Sequence, residues 1–312
     1  MSRTVRSHDV YVSAISDELP AAVAAALSAS RLAEAPPGET ATFDASGMSW
    51  ATRAWGNRDD PPLLAAHGIM SDGGVYWRLG PALARTGWRV IAVDLPAHGG
   101  TGPWNGRYLR VDTAADLAAF IRAADLDTDR LVALGHSWGA AVVANLPAAG
   151  LRPSALILLD PPYLALDGMV AMTRDPIEHR YDSVEEALAN LQAANLGWTD
   201  GDLEAKALAL TRFDPEAASA VLSRNGDWDA GLAALSHPNA ARIPVWILRG
   251  EPRSGCLIPD EVVPALAARV GADHVLTIEH ASHSPMRTRD PAAVTLAILY
   301  ALGWQSVPTS GT

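Results

Sequence analysis

Cysteine is nearly absent from this sequence, since its 312 residues include only Cys256. One thiol cannot form an internal disulfide and cannot build a metal site from repeated cysteine ligands. The nine histidines are dispersed, and neither the His-x-x-x-His nor the His-Glu-x-x-His spacing of zinc sites occurs. We therefore predict a protein without disulfides that needs no metal and no cofactor.

Basic clusters and long apolar runs are also missing. The sequence has 24 basic and 35 acidic residues, a formal net charge of −11, and its basic residues are scattered singly. Such a charge repels a phosphate backbone, which argues against nucleic acid as the main partner. No run of eighteen apolar residues occurs, and the charged N-terminal residues 1–9 are not followed by an apolar segment. We expect a cytoplasmic protein that does not bind membranes.

Two strand-like pieces, residues 41–44 and 48–55, are separated by a Ser46-Gly47 turn and predict an opening hairpin. Short apolar runs then alternate up to residue 160 with helix-like segments at residues 75–86, 111–124 and 140–149. Such alternation is typical of βαβ units and predicts a mostly parallel sheet flanked by helices. Residues 161–241 contain helix-like stretches without a clear apolar strand, and strand-like runs resume after them. We therefore predict an α/β core formed by residues 41–160 and 242–312, with a helical cap inserted at residues 161–241.

Residues 1–40 are predicted to be an accessory segment. An alanine-rich helix is expected from Leu19 to Ala35, where Pro36-Pro37-Gly38 would end it. Its small residues either pack on the body of the protein or form a contact between two copies of the chain. A homodimer is therefore one of the expectations.

The pentapeptide Gly135-His136-Ser137-Trp138-Gly139 lies between an apolar run, residues 131–134, and a stretch of small residues, 140–144. This order predicts a strand, a sharp turn and a helix. A serine at the apex of such a turn has a strained backbone that presents its hydroxyl, and flanking glycines avoid clashes where the turn packs. Ser137 is therefore the candidate nucleophile.

A serine hydroxyl needs a general base, and histidine has a suitable pKa without special tuning. On open α/β sheets, reactive groups gather at the carboxyl ends of the strands. His283 follows the last predicted strand, residues 274–278, by five residues, and His280 is its competitor in the same loop. His67 and His98 follow earlier strands and are interpreted as structural.

Four segments together resemble the α/β-hydrolase superfamily: His67-Gly68-Ile69-Met70, residues 94–99 with the sequence Asp-Leu-Pro-Ala-His-Gly, the serine turn, and the loop that contains His283. The resemblance covers about residues 41–306 and implies the α/β-hydrolase fold. It also implies an oxyanion hole formed by the backbone N–H groups of Ile69 and Trp138, and it selects His283 as the base.

The triad carboxylate departs from the commonest pattern of that superfamily. Arg253 stands three residues after Gly250, where an aspartate is usual, and an arginine cannot accept the imidazole N–H. Asp160 ends an earlier strand, a position from which some members take the acid. Glu251 lies near the usual loop but two positions early. Asp160 is our predicted acid, and Glu251 is the alternative.

These residues predict a serine hydrolase that cleaves an apolar carboxylic ester or lactone. The apolar preference is inferred from the cap sequence, which is rich in Leu, Ala and Trp and has no cluster of Arg or Lys for a phosphate or carboxylate. The alternatives are a carbon–carbon bond hydrolase or cofactor-free lyase on the same triad, and a small-molecule receptor without turnover. The candidate pocket tryptophans are Trp77, Trp104, Trp198 and Trp228.

Overall fold

The computed structural model describes residues 10–11, 19–103, 106–126, 129–288 and 290–303. The strands within these ranges are β1 (Val10–Tyr11), β2 (Glu39–Ala45), β3 (Met48–Trp55), β4 (Pro62–Ala66), β5 (Arg89–Val93), β6 (Val132–His136), β7 (Ala155–Leu159), β8 (Tyr163–Leu164), β9 (Trp228–Asp229), β10 (Val245–Arg249) and β11 (Val275–Thr277). The α-helices are α1 (Ala21–Ser30), α2 (Leu79–Ala84), α3 (Arg110–Ala123), α4 (Trp138–Ala144), α5 (Leu166–Ala171), α6 (Val184–Ala194), α7 (Asp200–Leu210), α8 (Pro215–Arg224), α9 (Leu232–Leu235), α10 (Val263–Val270) and α11 (Ala292–Ala301).

One large sheet runs through the core in the order β1-β11-β10-β7-β6-β4-β5-β3-β2. Its pairs are parallel except for β2 with β3 and β3 with β5, so the predicted opening hairpin forms an antiparallel edge. Every residue of β4 and β6 is buried, as expected for central strands covered on both faces. The α/β-hydrolase fold predicted from the sequence is confirmed.

The helix predicted from Leu19 to Ala35 is shorter in the structure, because α1 begins at Ala21 and ends at Ser30, before the prolines. Two predicted helices of the core are also shorter or broken, and proline accounts for both. The helix predicted over residues 75–86 is a 3₁₀ turn, Gly73–Tyr76, followed by α2. Pro81 has no N–H for the carbonyl four residues earlier, which prevents one continuous helix. The helix predicted over residues 140–149 is α4, which begins at Trp138 and ends before Pro147 for the same reason.

A helical insert, α5 to α9, lies between β7 and β10 and forms the cap. Its three longer helices, α6, α7 and α8, agree closely with the predicted segments. The sequence did not reveal the antiparallel ribbon of β8 and β9, because two-residue strands are too short to show alternation. The cap side chains buried against the core are mainly apolar and include Met169, Leu191, Leu203, Leu210, Phe213 and Trp228.

Helix α1 packs against α2 and α11, and Val23, Ala26 and Leu27 join the apolar layer on that side of the sheet. This part of the accessory segment therefore covers one face of the core. Among the described residues, no helix combines the length and apolarity needed to cross a bilayer.

Candidate active site

Ser137 lies in the turn between β6 and α4. Its backbone is in the left-handed region, with φ 53° and ψ −118°, which is costly for a residue with a side chain. The flanking glycines make this turn possible. A Cβ at Gly135 would lie 2.2 Å from the Gly139 carbonyl oxygen, and a Cβ at Gly139 would lie 2.3 Å from the Ala66 carbonyl oxygen. The turn therefore packs on neighbouring backbone at distances that exclude any side chain.

His283 connects Ser137 to Asp160. Its Nε2 atom is 2.9 Å from Ser137 Oγ, and its Nδ1 atom is 2.6 Å from Asp160 Oδ2. Because a carboxylate only accepts, Nδ1 carries the proton and Nε2 is left to accept the serine hydroxyl. The imidazole thus has the tautomer and the direction that a general base for Ser137 requires.

Asp160 is completely buried at the end of β7, with a left-handed φ of 43°. Its Oδ1 accepts the N–H of Gly250 at 3.2 Å, and its Oδ2 also accepts the N–H of Leu257 at 3.0 Å. These two hydrogen bonds hold the Asp160 carboxyl group towards His283. The residues after β10 therefore position a side chain that comes from the end of β7.

The two alternatives considered from the sequence lie elsewhere in the same region. Glu251 accepts the backbone N–H of His280 at 3.0 Å and pairs with Arg253 at 2.9 Å. The His280 side chain is 81% exposed and lies beside this pair. Both residues are thus engaged with each other and with Arg253, whereas Asp160 contacts His283 directly.

The expected oxyanion donors lie on the two sides of Ser137. Trp138 supplies the first N–H of α4, where helix geometry provides no preceding carbonyl within the helix. Ile69 belongs to residues 67–71, which we call the oxyanion loop. A Cβ at Gly68 would lie 3.2 Å from Ser137 Cβ, so this loop passes directly beside the serine. The Ile69 N–H donates to no group in the described part of the chain.

Buried histidines support the oxyanion loop. His98 Nε2 accepts the N–H of Met70 at 3.2 Å, and His67 Nε2 accepts the N–H of Leu95 at 2.8 Å. Burial lowers the pKa of His98 to about 3 and also lowers the pKa of His67. His136, whose pKa is also lowered by burial, contacts the carbonyl of His283 at 2.7 Å. These neutral imidazoles hold backbone groups in place by hydrogen bonds, which is the kind of structural role expected of His67 and His98.

Four cations that are scattered along the sequence meet between the core and the cap. Arg78 pairs with Asp202 at 2.6 Å, and Arg212 with Asp72 at 2.6 Å. The other two are Lys206, which pairs with Glu178, and Arg287, which donates to Ser71 at 2.9 Å. The sequence does not show these residues as a basic cluster, because they come from three separate segments.

The candidate pocket tryptophans have different surroundings. Trp228 lines a cavity of about 350 Å³ beside α4, together with Ala141 and Pro161. The indole N–H of Trp77 donates to Asp202 at 3.1 Å, and the Trp198 ring lies 5.1 Å from the Arg287 guanidinium carbon. Trp104 lies outside the described residues. Within the described ranges, no three His, Cys, Asp or Glu side chains are grouped so that they could hold a metal ion.

Comparisons with known proteins show the family to which the chain belongs. Residues 61–251 match the alpha/beta hydrolase fold family. The chain is 30% identical to lipase LipV of Mycobacterium tuberculosis over 259 residues, which cover 77% of this chain and 93% of the lipase. The esterase RhEst1 from Rhodococcus sp. ECU1013 superposes with a TM-score of 0.66 at 19% identity, covering 86% of this chain and 99% of the esterase. The N-acyl homoserine lactonase AidH superposes with a TM-score of 0.62 at 18% identity, covering 85% and 96%. The chain belongs to the alpha/beta hydrolase fold family.

Proposed function

We propose that this protein hydrolyses a carboxylic ester or lactone through an acyl-enzyme on Ser137. Ser137 Oγ attacks the carbonyl carbon while His283 Nε2 takes the hydroxyl proton, and Asp160 stabilises the resulting imidazolium. The backbone N–H groups of Ile69 and Trp138 donate to the oxyanion. His283 then protonates the leaving alkoxide. Water, deprotonated by the same imidazole, attacks the acyl group and releases the acid.

The observation that carries this proposal is the continuous chain of hydrogen bonds from Asp160 through His283 to Ser137, at 2.6 and 2.9 Å. The three residues come from the ends of different strands, and the serine has the strained backbone of a nucleophile turn. Such strain persists only where the surrounding structure imposes it, and it is concentrated at functional sites. A serine that served only as a turn residue would need neither the strain nor the aligned imidazole.

An apolar acyl substrate fits the cap best. The cavity beside α4, whose lining includes Ala141, Pro161 and Trp228, has mainly apolar walls. The similar proteins include a lipase, an esterase and a lactonase, whose substrates share a carboxylic ester bond. We therefore infer a small ester or lactone whose acyl group makes chiefly apolar contacts.

The first test is hydrolysis of neutral p-nitrophenyl esters, from acetate to octanoate, by the wild-type protein and Ser137→Ala. We expect turnover by the wild type and a loss of at least a thousandfold in Ser137→Ala. The matched control is Ser219→Ala, an exposed serine on α8, which should leave kcat unchanged. Undiminished turnover by Ser137→Ala contradicts the proposal. Tight binding of an apolar ester without turnover by either protein would instead indicate a receptor.

A further inference from the structure

Lys206 is the only lysine in the sequence, and its side chain is almost completely buried. It lies on α7 of the cap, and its ammonium group donates to the carbonyl oxygen of Met70 at 3.0 Å and to Glu178 at 2.8 Å. Burying an ammonium group is costly unless it is paired and hydrogen-bonded. Burial lowers the pKa of Lys206, while the charge of Glu178 opposes that shift. The single lysine of the sequence therefore links the cap to a backbone carbonyl of the core.

Met70 is the residue after Ile69 in the oxyanion loop, and its backbone is strained. Its φ of 54° is uncommon for a residue with a side chain, so the loop needs outside contacts to keep this conformation. The Met70 N–H is held by His98 of the core, and its carbonyl is held by Lys206 of the cap. The peptide groups on both sides of Met70 are therefore oriented by side chains from two different parts of the fold.

A second buried ion pair on the same helix shows what is particular to Lys206. Asp202 lies one turn earlier on α7 and pairs with Arg78 at 2.6 Å, with both side chains buried. Arg78 also donates to the carbonyls of Met286 and Thr288, in the segment after His283. This pair fastens α7 to the core without a hydrogen bond to the oxyanion loop. Only the pair one turn later reaches the loop itself.

We propose that Lys206 is a positioning residue that couples the seating of the cap to the oxyanion hole. With α7 in place, its ammonium group holds the Met70 carbonyl and keeps the Ile69 N–H directed at the reacting carbonyl. When α7 moves away, Met70 loses one of the two side chains that hold its peptide groups, and the Ile69 N–H is no longer held in its direction. This inference rests on the acyl-enzyme mechanism proposed above, because it assigns Lys206 a role in stabilising that mechanism's oxyanion.

The test compares Lys206→Met with Asp202→Asn, which weakens the other ion pair of α7. Methionine keeps most of the apolar stem but cannot donate to Met70. We expect Lys206→Met to lower kcat about 10- to 100-fold with KM within about threefold, because an oxyanion contact acts in the transition state. Asp202→Asn keeps both contacts of the Lys206 ammonium group, which still hold α7 at the loop, so it should lower the Tm at least as much and leave kcat within about threefold. Equal losses of kcat in the two variants would overturn the proposal.

An alkylboronic acid measures the oxyanion hole separately from turnover. Its trigonal boron accepts an electron pair from Ser137 Oγ, the serine proton passes to His283, and the product is a tetrahedral anionic boronate. We expect Lys206→Met to weaken boronate binding by the same factor as kcat, with Asp202→Asn close to wild type. Unchanged boronate affinity in Lys206→Met would overturn the positioning role. Failure of the wild type to bind boronate would instead contradict the proposed function.

The single lysine allows a test on the wild-type protein if Lys206→Met does not fold. An amine-acetylating reagent is applied until half of the free protein carries a label on Lys206. Peptide mass spectrometry distinguishes this label from one on the N-terminal amine. Saturating boronic acid should reduce this labelling several-fold, since an occupied hole favours the seated cap. Equal labelling with and without bound boronate would overturn the coupling.

Discussion

The two halves of the site are held in place by different means. On the triad side, the side chains are positioned mainly by the backbone. Asp160 accepts two N–H groups from the chain after β10, and Ser137 lies in a turn between close-packed glycines. On the oxyanion side, side chains from three distant segments hold the loop. His98 contacts the N–H of Met70, Lys206 contacts its carbonyl, and Arg287 donates to Ser71.

The core alone therefore positions the triad, whereas the conformation of the oxyanion loop also depends on the cap. The residues that orient Asp160, His283 and Ser137 belong to the core sheet and its loops. Lys206 belongs to the cap, so the oxyanion loop has a contact that the core cannot supply. A substrate that changes how the cap sits is therefore expected to alter oxyanion stabilisation before it alters proton transfer.

Of the changes that separate the two halves, Asp160→Asn should have the largest effect, because it breaks the triad half. An asparagine cannot carry the negative charge that stabilises the imidazolium, and its amide can hold the imidazole in the wrong tautomer. We expect kcat to fall by two to four orders of magnitude, measured with a neutral p-nitrophenyl ester. Because the side chain also accepts the N–H groups of Gly250 and Leu257, some loss of Tm should accompany the change.

A folded Asp160→Asn variant that loses less than tenfold in kcat would contradict the triad assignment. Boronate binding gives a finer comparison of the two halves. Asp160→Asn should reduce kcat far more than boronate affinity, whereas Lys206→Met should reduce both by similar factors.

The triad half was accessible from the sequence because its residues lie in local patterns. The glycine spacing around Ser137 and the apolar run before it have a local physical cause, whereas His283 was selected over His280 by the resemblance to the α/β-hydrolase superfamily. The choice between Asp160 and Glu251 was harder, since both lie after strands of one sheet. Which of the two carboxylates contacts His283 depends on the direction of each side chain, and spacing along the sequence does not determine that direction.

The oxyanion half was only partly accessible. His98 and His67 were interpreted as structural, but the contacts of Lys206 could not be predicted, because the core residue and the cap residue are far apart in sequence. One periodic pattern was informative. Lys206 falls on the same helical face as Leu203, Ala207 and Leu210, all of them buried. A lone lysine on the apolar face of a helix is an indication of a buried partner.

Acid should weaken the histidine-supported oxyanion half. The pKa of His98 is lowered by burial to about 3 in the folded protein, from an ordinary value of 6.5. Below pH 6.5 the unfolded chain binds a proton that the folded protein does not, so the free energy of unfolding falls as pH falls towards 3. At pH 5.5 the loss from His98 alone is on the order of 1 kcal/mol, and the lowered pKa values of His67 and His136 act in the same direction.

Urea unfolding at pH 8.0, 6.5 and 5.5 measures this loss. His98→Gln keeps an acceptor for the Met70 N–H but cannot be protonated, so stability should depend less on pH in this variant. The control is His280→Gln, because the His280 side chain is largely exposed and should keep the wild-type slope. Identical slopes for wild type and His98→Gln would show that this buried imidazole does not contribute.

The smallest effect should come from Glu251→Gln, which tests the triad half at its nearest competing carboxylate. Glutamine still accepts the His280 N–H and loses the charge that pairs with Arg253, a side chain that is 59% exposed. Exposed ion pairs contribute at most about 1 kcal/mol, and this one does not contact the imidazole of His283. We therefore expect kcat within about threefold of wild type in the ester assay used for Asp160→Asn. A loss as large as that of Asp160→Asn would make Glu251 part of the catalytic machinery, and the triad half would then depend on an ion pair as the oxyanion half does.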